Sequence, residues 1–202
     1  MTWIAIIGLI IIVGFGPLMW LRPTNKDRRL AALRSKARSI GFSMSVKSLP
    51  RLDPAPEERV SAGGKPREAT QLLAVYEWLM ARRLPAMEGF RILRGPAADA
   101  LSRPAVAVSS GWYFDPEQTF PPAGWATLAP SLEAHLAALP GDVAALALEP
   151  RQIALYWQES AGNDPSAVER LKDWCIGLEA ALQAASAHSE AAESPLESDD
   201  VP

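Results

Sequence analysis

The sequence predicts an α+β protein: an N-terminal transmembrane helix, a basic amphipathic helix, then a small, mostly antiparallel sheet with a C-terminal helix packed on it. Three observations carry this expectation. An apolar run from Trp3 to Leu21 holds no ionisable side chain and is followed at once by clustered Lys and Arg. Between residues 42 and 157, short apolar runs bounded by Pro and Gly follow one another, the mark of paired strands. Late in the chain Val168, Leu171, Trp174, Leu178 and Leu182 recur at helical spacing.

Residues 1–22 read as a membrane anchor. At about 1.5 Å per residue the apolar run extends roughly 28 Å, close to the hydrocarbon thickness of a bilayer. Trp3 and Trp20 stand at its two ends, where an indole keeps its ring near the acyl boundary and its N–H near water. A cleaved secretory signal is the competing assignment, but Gly14-Phe15-Gly16 is followed by Pro17, a poor residue after a cleavage point. Arg22, Lys26, Arg28, Arg29, Arg34, Lys36 and Arg38 come after the run and no Lys or Arg precedes it. The positive-inside bias therefore predicts a single-pass protein of a bacterial inner membrane, with its N-terminus outside and its C-terminal domain in the cytoplasm. The single cysteine, Cys175, agrees with a reducing compartment.

Residues 23–41 read as a basic juxtamembrane helix. Pro23 suits a first turn, Thr24 a cap, and Asp27 stands where a carboxylate meets free backbone N–H groups. Leu30, Leu33, Ala37 and Ile40 form one edge, and Gly41 offers a stop. Two uses of this helix follow from the same residues: adsorption to anionic lipid headgroups, or packing of the apolar edge on the domain below.

Residues 42–187 read as one α+β domain. Phe42, Met44 and Val46 alternate with polar neighbours, as a half-buried strand requires. Pro50 to Pro66 reads as a loop, and its Gly63-Gly64-Lys65 is no phosphate loop because Pro66 replaces the needed Ser or Thr. Leu72 to Met80 fits both periods, while Val75, Tyr76 and Trp78 favour a strand. Phe90 to Leu93 and Ala105 to Val108 are short strands. The Pro-rich segment from Gly111 to Trp125 carries Trp112, Tyr113, Phe114 and Trp125, which either close the core or form a surface for a protein partner. A helix follows through Leu128, Leu132, Leu136 and Leu139, then a hairpin from Val143 to Trp157, then a helix capped by Asp164. Residues 188–202, acidic and without Lys or Arg, read as a disordered tail.

The opening run, Leu21-Arg22-Pro23, the basic stretch through Leu33, Leu139-Pro140-Gly141-Asp142-Val143 and Tyr156-Trp157-Gln158-Glu159 together resemble a group of proteobacterial single-pass membrane proteins. That group is often labelled preprotein translocase subunit YajC, and its motifs carry no known chemistry. YajC proper, an accessory subunit of the secretion translocase, is similar only in the anchor, the Arg-Pro step and the basic stretch. The resemblance implies a membrane location and an accessory role in protein translocation.

The remaining residues point to binding before catalysis. Two histidines, one cysteine and scattered carboxylates form no acid–base, nucleophilic or metal-ligand pattern, so no catalytic residue, cofactor or metal is expected. Asp115, Glu117 and Glu159 are the acids an enzyme would use. A net charge of -3 without a reading motif argues against nucleic acid. The expected protein is an inner-membrane scaffold or interaction module whose partners are the lipid bilayer, anionic headgroups at Trp3, Trp20, Arg22, Lys26, Arg28 and Arg29, and an unknown protein. A translocase accessory subunit is the alternative.

Overall fold

The computed structural model describes Trp3 and residues 24–193, except 62, 85, 86, 119, 123 and 161. The expected fold class needs correction in its first element. No helix among the described residues is long and apolar enough to cross a membrane, so the transmembrane helix and the single-pass description built on it are not found. Apart from Trp3, the stretch assigned to that helix lies outside the described residues.

Helix α1 spans Asn25–Ser39 and starts as the sequence dictates. Thr24 Oγ1 accepts from the Asp27 N–H, and the Asp27 carboxylate accepts from the Thr24 N–H at 2.9 Å, a reciprocal capping box. Leu33 and Ala37 are fully buried, with Leu30 and Ile40 packed beside them against the main core. The apolar edge thus belongs to the domain.

Seven strands form one antiparallel sheet: β1 (Ser43–Pro50), β2 (Thr70–Leu79), β3 (Phe90–Arg94), β4 (Ala107–Ser109), β5 (Trp112–Phe114), β6 (Val143–Glu149) and β7 (Gln152–Trp157). Their spatial order is β1-β2-β7-β6-β3-β5-β4. Strand β2 pairs with β1 from Ser43↔Glu77 to Pro50↔Thr70, and with β7 from Ala74↔Trp157 to Leu79↔Gln152. The β6–β7 hairpin at the centre turns at Pro150-Arg151, and β3 joins it through Phe90↔Leu148 to Leu93↔Ala145.

The two-residue period of the strands divides the core into two. Ala74, Tyr76, Ile92, Leu146, Leu155 and Trp157 face the helices α1, α2 (Trp125–Leu136) and α3 (Pro165–Glu193). Leu73, Val75, Leu93, Tyr113, Ala154 and Tyr156 face the other way, where Leu52, Leu101 and Ala105 from the connecting segments cover them. Helix α3 lies across the sheet and buries Val168, Leu171, Cys175, Leu178 and Leu182; Asp164 Oδ1 accepts from the Ala167 N–H at its start.

Three further departures from expectation have physical causes. The loop over residues 50–66 holds a short hairpin, closed by an antiparallel bridge between Val60 and Pro66. The aromatic segment holds a strand: Trp112, Tyr113 and Phe114 are all buried and close the two cores, the first of the two alternatives above. Burial on both faces erased the alternation that announces a half-exposed strand. Finally, α3 continues to Glu193, beyond the boundary at 188, because its Ala and Glu residues are strong helix formers. Residues 194–202 lie outside the described residues.

Candidate functional site

The candidate acids of the sequence are held in internal pairs. Asp115, directly after β5, is the one charged residue fully buried among the described residues. Its Oδ2 accepts from both Nε and Nη2 of Arg91, and its Oδ1 accepts from the Glu117 N–H at 3.0 Å. Glu159, just past β7, accepts from Arg34 Nε at 2.9 Å and Nη2 at 2.5 Å, and from the Tyr76 hydroxyl at 2.8 Å. Burial, and then the bond to Glu159, push the Tyr76 phenol well above its ordinary range. Glu117 is exposed and hydrogen-bonds the Glu68 carboxyl, which raises its pKa, while Arg103 and that same bond lower Glu68.

Other potential catalytic groups are engaged too. His135 Nδ1 lies 2.8 Å from the Ser131 carbonyl and its own carbonyl accepts from Trp174 Nε1 at 3.0 Å. Burial pushes the Cys175 thiol far up, away from thiolate reactivity. Among the described residues, no group of three or more His, Cys, Asp and Glu is placed to hold a metal ion.

Two clefts open where the connecting segments cover the second core. The smaller, about 250 Å³, lies at the end of the sheet where β1 and β3 finish and β2 and β6 begin, between Arg51, Asp53, Gln71, Arg94, Asp142 and Gln158. Its charges balance. Arg94 sits 4.7 Å from the centre of the Trp112 ring and donates Nη2 to the Leu139 carbonyl at 3.1 Å; desolvation lowers its pKa, opposed by Asp142. Asp142 accepts from Asn163 Nδ2 at 2.7 Å.

The larger cleft, about 490 Å³, shares Arg51 with the first and adds Arg59, Arg67 and Arg103, with Glu68 and Glu117 opposite and Pro54, Pro66 and Ala69 as apolar lining. Two of its arginines are neutralised, Arg51 by Glu58 at 2.7 Å and Arg103 by Glu68 at 2.5 Å. Arg59 is braced by neutral acceptors alone, the Pro54 carbonyl at 3.1 Å and Ser102 Oγ at 2.6 Å. Arginines in a concave surface of a protein with net charge -3 make this the fold's candidate anion-recognising site.

The residues singled out from sequence are dispersed. Asp115 and Glu159 line neither cleft, and Glu117 lines only the larger, so the three acids share no site. Trp125 is half-buried against Phe90 and Phe114, at 5.4 and 4.8 Å between ring centres. Trp3 is helical and exposed, Lys26 and Arg28 are exposed on the first turn of α1, and Arg29 is half-buried; Trp20 and Arg22 lie outside the described residues. Arg51, Arg59, Arg67 and Arg103 were not anticipated as a site. The available signal was the alternation of Arg with Pro and Gly through residues 51–67. A scan against protein-family models and searches of curated proteins and of solved structures returned no match.

Proposed function

We propose that this α+β domain is a non-catalytic interaction module that reads an anionic partner through its arginine-lined cleft. The observation that carries the reading is the contrast between two sets of charges. Asp115 and Glu159 are satisfied inside the fold by Arg91, Arg34 and Tyr76, whereas Arg59, in the cleft that Glu68 and Glu117 also line, has no carboxylate partner among the described residues. Acid–base chemistry needs groups that converge on one reacting atom, and the acids here are turned to different internal partners. Recognition needs cationic forks on a concave apolar surface, as this cleft provides.

The proposal includes a location, the cytoplasmic face of a bacterial inner membrane. It is supported by the basic residues from Arg22 to Arg38, a run of charge suited to anionic headgroups. One experiment addresses both parts: gentle solubilisation of membranes, isolation of the intact protein, and quantification of what accompanies it. A stoichiometric partner is expected in the wild type and a marked loss in Arg59→Glu/Arg67→Glu. Repeated isolation of the protein alone sinks the interaction, and its recovery from the fraction free of membranes sinks the location.

A further inference from the structure

We infer that the larger cleft binds a phosphoryl dianion between Arg59 and Arg67. The inference rests on the reading of this cleft as an anion-recognising surface and names the group it recognises. Its basis is the hairpin concealed in the 51–69 connection. The Val60–Pro66 bridge, the Ser61 N–H on the Lys65 carbonyl and the Gly64 N–H on the Ser61 carbonyl, each of the latter at 2.8 Å, close a tight turn. Gly64 occupies its left-handed position at φ +73°, a conformation that glycine adopts without the clash a Cβ would cause. Next to it the Arg67 N–H donates to the carbonyl of Arg59, the last residue of a short 3-10 helix (Pro56–Arg59), at 2.8 Å, so Arg59 and Arg67 are neighbours across the hairpin's backbone.

Two guanidiniums carried on neighbouring backbone and lining one cleft repel each other where nothing neutralises them. Both side chains are exposed, both line the cleft, and no carboxylate pairs with either among the described residues. Glu68 and Glu117 line the same cleft, but Glu68 pairs with Arg103 at 2.5 Å and with Glu117. A carboxylate carries one charge, which a single guanidinium neutralises. A phosphate ester carries about -1.5 to -2 charges and three terminal oxygens, so one such group can accept from both forks and neutralise both. Pro54, Pro66 and Ala69 offer the apolar surface on which the group bearing the phosphate would rest.

The phosphoryl group has two sources, a small phosphate ester or a phosphorylated side chain of the partner. Calorimetric titration of the intact protein at low salt with phenyl phosphate, N-acetyl-phosphoserine amide and benzoate separates them. Saturable binding of a phosphoryl probe at least tenfold tighter than benzoate is expected, weakening as salt rises. Phenyl phosphate as the tighter probe supports the small ester, and the phosphoserine probe as the tighter supports the side chain. In Arg67→Gln, whose side chain holds nothing else in place, affinity should fall at least tenfold while the melting temperature stays level or rises. Benzoate binding as tightly as the phosphates, or phosphoryl binding that survives Arg67→Gln and Arg59→Gln/Arg67→Gln alike, overturns the inference. A partner that is still recovered in an arginine-dependent manner after such a result leaves the interaction module standing and removes only the phosphate.

Discussion

Replacing Glu159 should separate a buried structural carboxylate from a surface ion pair. Its side chain is 8% exposed and serves two partners of different worth. Tyr76 is fully buried, and Glu159 accepts the hydroxyl it donates. Truncation to Ala leaves that hydroxyl without its acceptor, at about 1–3 kcal/mol. Arg34 is 39% exposed, so its half of the interaction is screened and contributes roughly 0.5–1 kcal/mol. The expected loss for Glu159→Ala is therefore about 2–4 kcal/mol, nearer the lower figure if water reaches the vacated space. Glu159→Gln keeps an oxygen for Tyr76 and gives up only the charge, so about 1 kcal/mol should go. Urea unfolding followed by tryptophan fluorescence reads both, and a Tyr76→Phe/Glu159→Ala cycle isolates the hydroxyl with an expected coupling of about 1–2 kcal/mol. Equal costs for Ala and Gln, or a coupling under about 0.5 kcal/mol, would refute the claim that the tyrosine hydroxyl makes Glu159 indispensable.

Two other outcomes follow from buried groups. Asp115→Ala should cost about 3 kcal/mol in the same assay, the low end for a broken buried pair because Arg91 remains 22% exposed, and Arg91→Met/Asp115→Leu should recover most of it; a double variant no better than the single one would contradict the pairing argument. Burial raises the pKa of both Cys175 and Tyr76 in the folded state, so the stability they support is complete below their unfolded pKa values of about 8.5 and 10 and is lost as pH rises past them. Unfolding free energy should decline from about pH 8.5 upward, and a thiol reagent at pH 8 should modify Cys175 only as the protein unfolds; rapid labelling of the native protein would contradict its burial.

Local signals in the chain were readable where a single element contains its own cause. Thr24 with Asp27, Asp164 before Pro165, and the apolar stripe from Val168 to Leu182 each act within a few residues and appear as the spacing predicts; the strand after Phe42 is there too, but its expected alternation fails at Val46, which is 63% exposed. The β6–β7 hairpin is likewise local, two apolar runs around one turn. What escaped depends on distance along the chain. Nothing in β2 indicates that it pairs with β7, and the Arg34–Glu159 contact joins residues separated by 125 positions. Arg51 and Arg103 reach one cleft from separate connections. The Arg59–Arg67 pairing was nearer to hand, because Gly63-Gly64 is a turn signal, but Pro66 and the density of charge made the flanks look like loop. The N-terminal assignment rested on hydropathy, on Trp3 and Trp20 and on the basic residues that follow, and no helix among the described residues is long and apolar enough to match it.

The arginines of this fold divide by what their removal would do. Arg34 and Arg91 each meet a carboxylate buried beneath them, and Arg94 lies on Trp112 with a carbonyl as acceptor; the isolated fold gains from each. Arg67 returns nothing comparable, since it stands exposed, opposite another arginine, with no carboxylate beside it among the described residues. Its guanidinium meets no acceptor among the described residues, so stability has little to lose there. A residue that the fold itself does not need, set where it repels its neighbour and faces a cleft, is explained by what enters the cleft. That asymmetry, rather than the cleft's size, makes the 59–67 hairpin the place to look for function, and it is why Arg67→Gln is the discriminating variant. It alone should weaken binding while leaving the protein at least as stable as before.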